Sequence, residues 1–140
     1  SDVNQVSESD MALVRVFIAS GDEKLRLALM MFVDKEEGMA VVGLSDRLSG
    51  LLTQLRGSEP DALLLDLDMP SAWKANLLRD LHTINHRPMI VVFTNRPEEK
   101  ESILQAGADY FIAKDAPPDE LVPILNDIKL SRSNSGTHVG

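Results

Sequence analysis

The 140-residue sequence contains no cysteine, which excludes disulfide bridges, thiolate metal centres and a cysteine nucleophile, and suits a reducing compartment. Positive charge is in deficit: 14 basic residues face 22 acidic ones for a formal charge of −8, so the segment repels phosphate backbones and is not expected to bind nucleic acid directly. No apolar run approaches the length of a membrane span, and the first residues, SDVNQVSESD, lack the basic-then-apolar order of a signal peptide. The expected setting is the cytoplasm, away from membranes. A glycine-rich G-x-G-x-x-G phosphate loop is also missing, which counts against a flavin or nucleotide enzyme.

What remains is a globular composition, 44% hydrophobic, of a length that suits one domain. Residues 1–13 read as a flexible polar leader and 131–140 as a flexible linker or tail, leaving 14–130 as the folded unit. Within it, short apolar bursts alternate with helix-period segments. The bursts are VRVFIAS (14–20), MAVVGL (39–44), DALLLDL (61–67), MIVVFT (89–94) and DYFIA (109–113). Their near-continuous hydrophobicity fits parallel strands covered on both faces.

Between the bursts, apolar residues recur at three and four. Leu25, Leu29, Phe32 and Val33 form one stripe, Leu48, Leu51, Leu52 and Leu55 a second, Trp73, Leu77, Leu81 and Ile84 a third. A shorter helix begins at Pro97 with Glu98 and Glu99 in its first turn, and Leu121, Ile124, Leu125 and Ile128 form the last stripe. Five strands and five helices in alternation predict an α/β, doubly wound, five-stranded parallel sheet, (βα)5. Such a sheet binds its ligand beyond the carboxyl ends of the strands.

Those ends carry Ser20, Gly21 and Asp22, then Asp66 and Asp68, then Thr94 and Asn95, and finally Lys114. An Asp at a strand end can serve as a phosphoryl acceptor, because its carboxylate is a nucleophile. A hydroxyl such as Thr94 and a cation such as Lys114 would then bind the new phosphoryl oxygens. Each residue alone has a plainer use. Asp66 could be satisfied by loop amides, Thr94 could simply be a β-branched strand residue, and Lys114 a solvated charge.

Taken together, PDALLLDLDMP, MIVVFT and GADYFIAKDAPPDEL resemble the corresponding segments of receiver domains in bacterial two-component response regulators, above all those joined to a C-terminal helix-turn-helix domain. The resemblance implies a flavodoxin-like fold with strand order 2-1-3-4-5. It implies Asp66 as phosphoacceptor, Thr94 as switch hydroxyl, Lys114 as phosphoryl-binding lysine and Phe111 as switch aromatic. A histidine kinase or other signalling protein is the implied partner, and homodimerisation through the fourth helix, fifth strand and fifth helix the implied output. Such a domain is a signalling switch and not an enzyme, beyond self-catalysed phosphoryl transfer onto Asp66.

Departures from the family pattern gather at the same place. The family carries two acidic residues after its first strand to hold magnesium with the acceptor and the backbone of the residue at Asp68; here Ser20 and Gly21 stand there. Weak magnesium binding is therefore expected, since a net loss of ~3 kcal/mol lowers affinity on the order of a hundredfold. Asp22 offers a substitute ligand only if the loop shifts; Asp22 and Glu23 are better explained as charge at a helix start. Asp68, Asn95 and Arg96 occupy positions that tune phosphorylation, and an Asp68–Arg96 ion pair would partly cover Asp66. Lys74 replaces a common loop glycine. His82 and His86 have helical spacing but no carboxylate to complete a metal site, and Trp73 belongs to the core. The competing expectation is a pseudo-receiver, a phosphorylation-independent protein-interaction module.

Overall fold

The computed structural model describes residues 13–68 and 74–138, with side chains for 13–68 and 76–132. Trp73, the side chain of Lys74 and the first twelve residues of the leader lie outside these. The strands are β1 Val14–Ala19, β2 Met39–Ser45, β3 Ala62–Asp66, β4 Met89–Thr94 and β5 Tyr110–Ala113. The helices are α1 Glu23–Lys35, α2 Leu51–Ser58, α3 Lys74–Leu81, α4 Lys100–Gln105 and α5 Leu121–His138. Short 3-10 turns at Pro97–Glu99 and Pro118–Glu120 lead into α4 and α5.

All strand pairs are parallel, in the order β2-β1-β3-β4-β5. Alternation along each strand divides the core into two layers. Leu63 and Leu65 of β3 face Leu51 and Leu55 of α2, Leu78 and Leu81 of α3 and Ile103 of α4. Ala62 and Leu64 face Leu29 and Val33 of α1 and Leu121, Leu125 and Ile128 of α5. Every residue of β3 is buried, as a central strand covered on both faces requires.

Two local features depart from simple alternation. Register slips by one between Val16 and Phe17, which pair with Val41 and Gly43, so β2 carries a bulge at Val42. The Phe17 ring lies where a β-carbon at Gly43 would be, so this bend needs glycine. At the other end of the chain, α5 continues to His138, past residue 130 where the apolar pattern of the folded unit ends. The apolar stripe ends at Ile128, but a helix once nucleated propagates through backbone bonds and needs no further stripe.

Chain order reverses direction at β1, between β2 and β3, so the loops after β1 and β3 diverge and leave a crevice. Asp22 starts α1 as its N-cap, its Oδ1 accepting from the Leu25 N–H at 3.2 Å, with Glu23 in the first turn.

Candidate functional site

Among the described residues, four polar side chains are buried: Ser20, Ser45, Asp66 and Thr94. Each stands at or just past the carboxyl end of a strand, β1, β2, β3 and β4 in turn. Burying a polar group costs free energy unless it is hydrogen-bonded, and no buried side-chain polar atom among the described residues lacks a partner. The crevice is thus a connected polar network at the end of an apolar sheet.

Asp66, 2% exposed, is held on both oxygens. Oδ2 accepts from the Ser20 hydroxyl at 2.8 Å. Oδ1 accepts from the Asp68 N–H at 2.8 Å and lies 2.9 Å from Lys114 Nζ, which reaches it from just past β5. The Ser20 Oγ also accepts from the Asp22 N–H at 3.1 Å, which ties the start of α1 to the acceptor carboxylate.

Asp68 is the second hub. Its Oδ1 accepts from Thr94 Oγ1 at 2.8 Å, its Oδ2 accepts from the Asn95 N–H at 2.7 Å, and Lys114 Nζ stands 3.3 Å from that same Oδ2. Burial pushes the Asp68 carboxyl up, but the Thr94 hydroxyl, the Asn95 N–H and the Lys114 ammonium outweigh it and hold the group below the ordinary carboxylate value. Burial likewise pulls the Lys114 ammonium down, while hydrogen bonding and charge from Asp66 and then Asp68 carry it above the usual lysine value. Lys114 is therefore a fixed cation shared by two carboxylates.

Several residues singled out from the sequence take other places. Arg96 does not pair with Asp68: its Nη1 lies 3.7 Å from Glu99, and the expected Asp68–Arg96 bridge is corrected, because Lys114 and two nearer donors already satisfy Asp68. Arg96 joins the network only through its backbone N–H, which donates to Thr94 Oγ1 at 3.2 Å. Asp22 caps α1 rather than facing Asp66. Phe111 is half-buried against the layer formed with α2, α3 and α4, the face that also carries Val92 and, by alternation, Thr94. His82 bonds the Gly107 carbonyl at 2.9 Å and His86 bonds Asp61 at 3.3 Å, so the two rings diverge.

The donor set does not make a divalent-cation site. Both oxygens of Asp66 and both of Asp68 already bond an ammonium, hydroxyls or backbone N–H groups, and β1 ends in a hydroxyl and a glycine. Among the described residues no three His, Cys, Asp or Glu side chains cluster in a way that could hold a metal. A hard cation prefers several free oxygens, and these four are engaged by protein donors.

Sequence reasoning treated Ser20 only as a lost carboxylate, and passed over Ser45, whose hydroxyl bonds the Arg47 carbonyl at 2.7 Å. The available signal was that each of the first four apolar bursts ends on or beside a small polar side chain, Ser20, Ser45, Asp66 and Thr94.

Comparison with known proteins fits this geometry. A family profile described as the response regulator receiver domain matches residues 16–126. The chain belongs to the response regulator receiver family. An uncharacterised transcriptional regulatory protein of Bacillus subtilis, YvfU, is 30% identical to this receiver over 115 residues, covering 81% of the chain and 58% of the relative. The nitrate/nitrite response regulator NarL of Escherichia coli is 29% identical over 104 residues, with 73% and 48% covered. The receiver thus spans about half the length of these curated relatives. Among solved structures, the receiver domain of AraT from Geobacillus stearothermophilus aligns with a TM-score of 0.78 at 19% identity, covering 89% of this chain and 98% of that one. The isolated receiver domain of RcsB from Salmonella enterica, solved with the phosphomimetic BeF3−, aligns at 0.73 and 21% identity, covering 81% and 86%. At these identities the likeness of structure concerns the fold of the receiver.

Proposed function

We propose that this receiver acts in two-component signalling by accepting a phosphoryl group on Asp66 from the phosphohistidine of a histidine kinase. The observation that carries the reading is the convergence of Asp66, Thr94 and Lys114, with Lys114 Nζ 2.9 Å from the acceptor carboxylate. Oδ2 is the nucleophile, since its partner is a hydroxyl that can rotate, whereas Oδ1 is fixed by an ammonium and a backbone N–H. The Oδ2–P bond forms as the P–N bond breaks, and the imidazole leaves with the bonding pair and takes up a proton.

The new group then competes for donors. Thr94 exchanges Asp68 for a phosphoryl oxygen, Lys114 follows, and Phe111 turns into the space released beside β4. Two or three charge-assisted hydrogen bonds at about 1.5–3 kcal/mol each are of the size needed, because moving a two-state equilibrium from 1:99 to 99:1 takes about 5.5 kcal/mol. The surface changed is that of α4, β5 and α5, through which the phosphorylated receiver forms a homodimer. In a longer protein resembling the curated relatives, that change would pass to a transcription-regulating output domain.

The test is intact mass after incubation with acetyl phosphate and magnesium, with Asp66→Ala as control. One added phosphate on the native chain and none on the variant is expected. No added mass with either acetyl phosphate or a phosphorylated kinase would overturn this reading and leave the phosphorylation-independent interaction module as the alternative.

A further inference from the structure

The charge of the site is out of balance for the proposed chemistry. Asp66, Asp68 and Lys114 together carry one net negative charge, and an acyl phosphate in place of the Asp66 carboxylate adds about one more. In a buried crevice that excess needs a cation. The carboxylates are already engaged by protein donors, and α1 uses Asp22 as its cap.

A second protein cation is tied to Asp66 through Ser20. Arg26, half-buried on α1, donates from Nη1 to the Ser20 carbonyl at 2.7 Å, and the hydroxyl of that same Ser20 bonds Asp66 Oδ2 at 2.8 Å. Arg26 is therefore linked to Oδ2 through Ser20, by its carbonyl and its hydroxyl, while Lys114 contacts Oδ1 directly. Among the described residues Arg26 has no carboxylate within ion-pair distance; Asp46 is held low chiefly by Arg47, to which it is bonded at 3.1 Å, and only in small part by Arg26. Arg26 also lines an open cleft of about 290 Å³ with Ser45, Asp46 and Arg47, so its head has room to move. A guanidinium with spare N–H groups matches phosphoryl oxygens better than any other side chain.

We propose that the phosphoryl group on Asp66 is neutralised by two protein cations, Lys114 and Arg26, with Ser20 and Thr94 as hydroxyl donors, and that the site works without a divalent ion. This rests on Asp66 being the acceptor. Arg26 binds the phosphoryl group directly, leaving the Ser20 carbonyl or bridging to it, while Ser20 turns its hydroxyl from the carboxylate to a phosphoryl oxygen. With acetyl phosphate as donor, the Oδ2–P bond forms, the P–O bond to the acetyl group breaks, and acetate leaves with the bonding pair.

The test follows phosphorylation by intact mass with acetyl phosphate, in EDTA and in millimolar magnesium, for the native chain, Arg26→Gln and Arg26→Lys. A magnesium titration monitored by the amide resonances of Ser20, Asp66 and Lys114 accompanies it. The expected result is equal phosphorylation in both buffers and no saturable magnesium shift. Arg26→Gln should slow phosphorylation on the order of tenfold, as for one lost charge-assisted hydrogen bond, and Arg26→Lys should retain most of the rate. Phosphorylation that requires magnesium, or that is unchanged in Arg26→Gln, overturns the inference and leaves Asp66 as acceptor. No phosphorylation in either buffer, from acetyl phosphate or from a phosphorylated kinase, overturns both readings. If Arg26→Gln does not fold, Arg26→Met takes its place with the same expected loss on the order of tenfold, and a magnesium-dependent native rate still refutes the inference.

Discussion

At the scale of single residues, the chain concentrates buried charge in one place, and removing one partner exposes the cost of the other. Lys114→Ala leaves Asp66, 2% exposed, without its cation, so a loss of about 3–5 kcal/mol in urea unfolding is expected. Adding Asp66→Ala to that variant should restore much of the loss; simple additivity in the double-mutant cycle would refute the coupling. The pH dependence follows from the directions of the shifts. Asp68 is held below its ordinary value of 3.8, so its contribution is present above that pH and is lost as pH falls through its lower folded-state value. Lys114 is raised above 10.5, so its contribution is complete below that pH and is lost as pH rises through its higher folded-state value. Tyr110 offers a cleaner reading, as the single tyrosine of the chain. Burial first, then its hydrogen bond to Asp127, pushes its hydroxyl up to about 12. Ultraviolet titration should show that value in the native protein and a fall toward 10.0 in Asp127→Asn.

Secondary-structure elements carry a different set of constraints. The bulge between β1 and β2 brings the Phe17 ring onto Gly43, and Gly43→Ala forces that ring off its place. A loss of about 1–3 kcal/mol by thermal or urea unfolding is expected, with the rest of the sheet unchanged. Asp22→Ala removes the N-cap of α1 and should cost about 1 kcal/mol, while leaving the Ser20 hydroxyl on Asp66; an unchanged stability would mean that the cap is not formed in solution. The strands were legible in the sequence because both-face burial leaves continuous apolar runs, as in VRVFIA and ALLLD. The end of α5 was not, because helix propagation beyond Ile128 requires no apolar stripe.

Across the whole molecule, two apolar layers hold a rigid sheet while the functional groups stand on its carboxyl edge. Under the proposed function, a phosphoryl group on Asp66 would act on α4, β5 and α5 through Thr94, Lys114 and Phe111. Phosphorylated protein should therefore sediment as a dimer and unphosphorylated protein as a monomer, and Thr94→Ala should uncouple the two while Asp66 is still phosphorylated. Dimerisation of both forms alike would contradict a switch at this surface. No helix among the described residues is long and apolar enough to cross a membrane.

From the sequence alone, the alternation of bursts and stripes determined the doubly wound sheet. The order of strand ends also determined that Asp66, Thr94 and Lys114 meet. Those follow from periodicity and parallel topology, which local patterns encode. Only the tertiary structure decided how the charges pair. Lys114 rather than Arg96 holds Asp68, Ser20 bonds the acceptor carboxylate, and Arg26 reaches the same residue from α1. The physical reason is distance: an ion pair or hydrogen bond depends on contacts a few ångströms long between residues as far apart as Ser20 and Asp66, and no spacing along the chain specifies them.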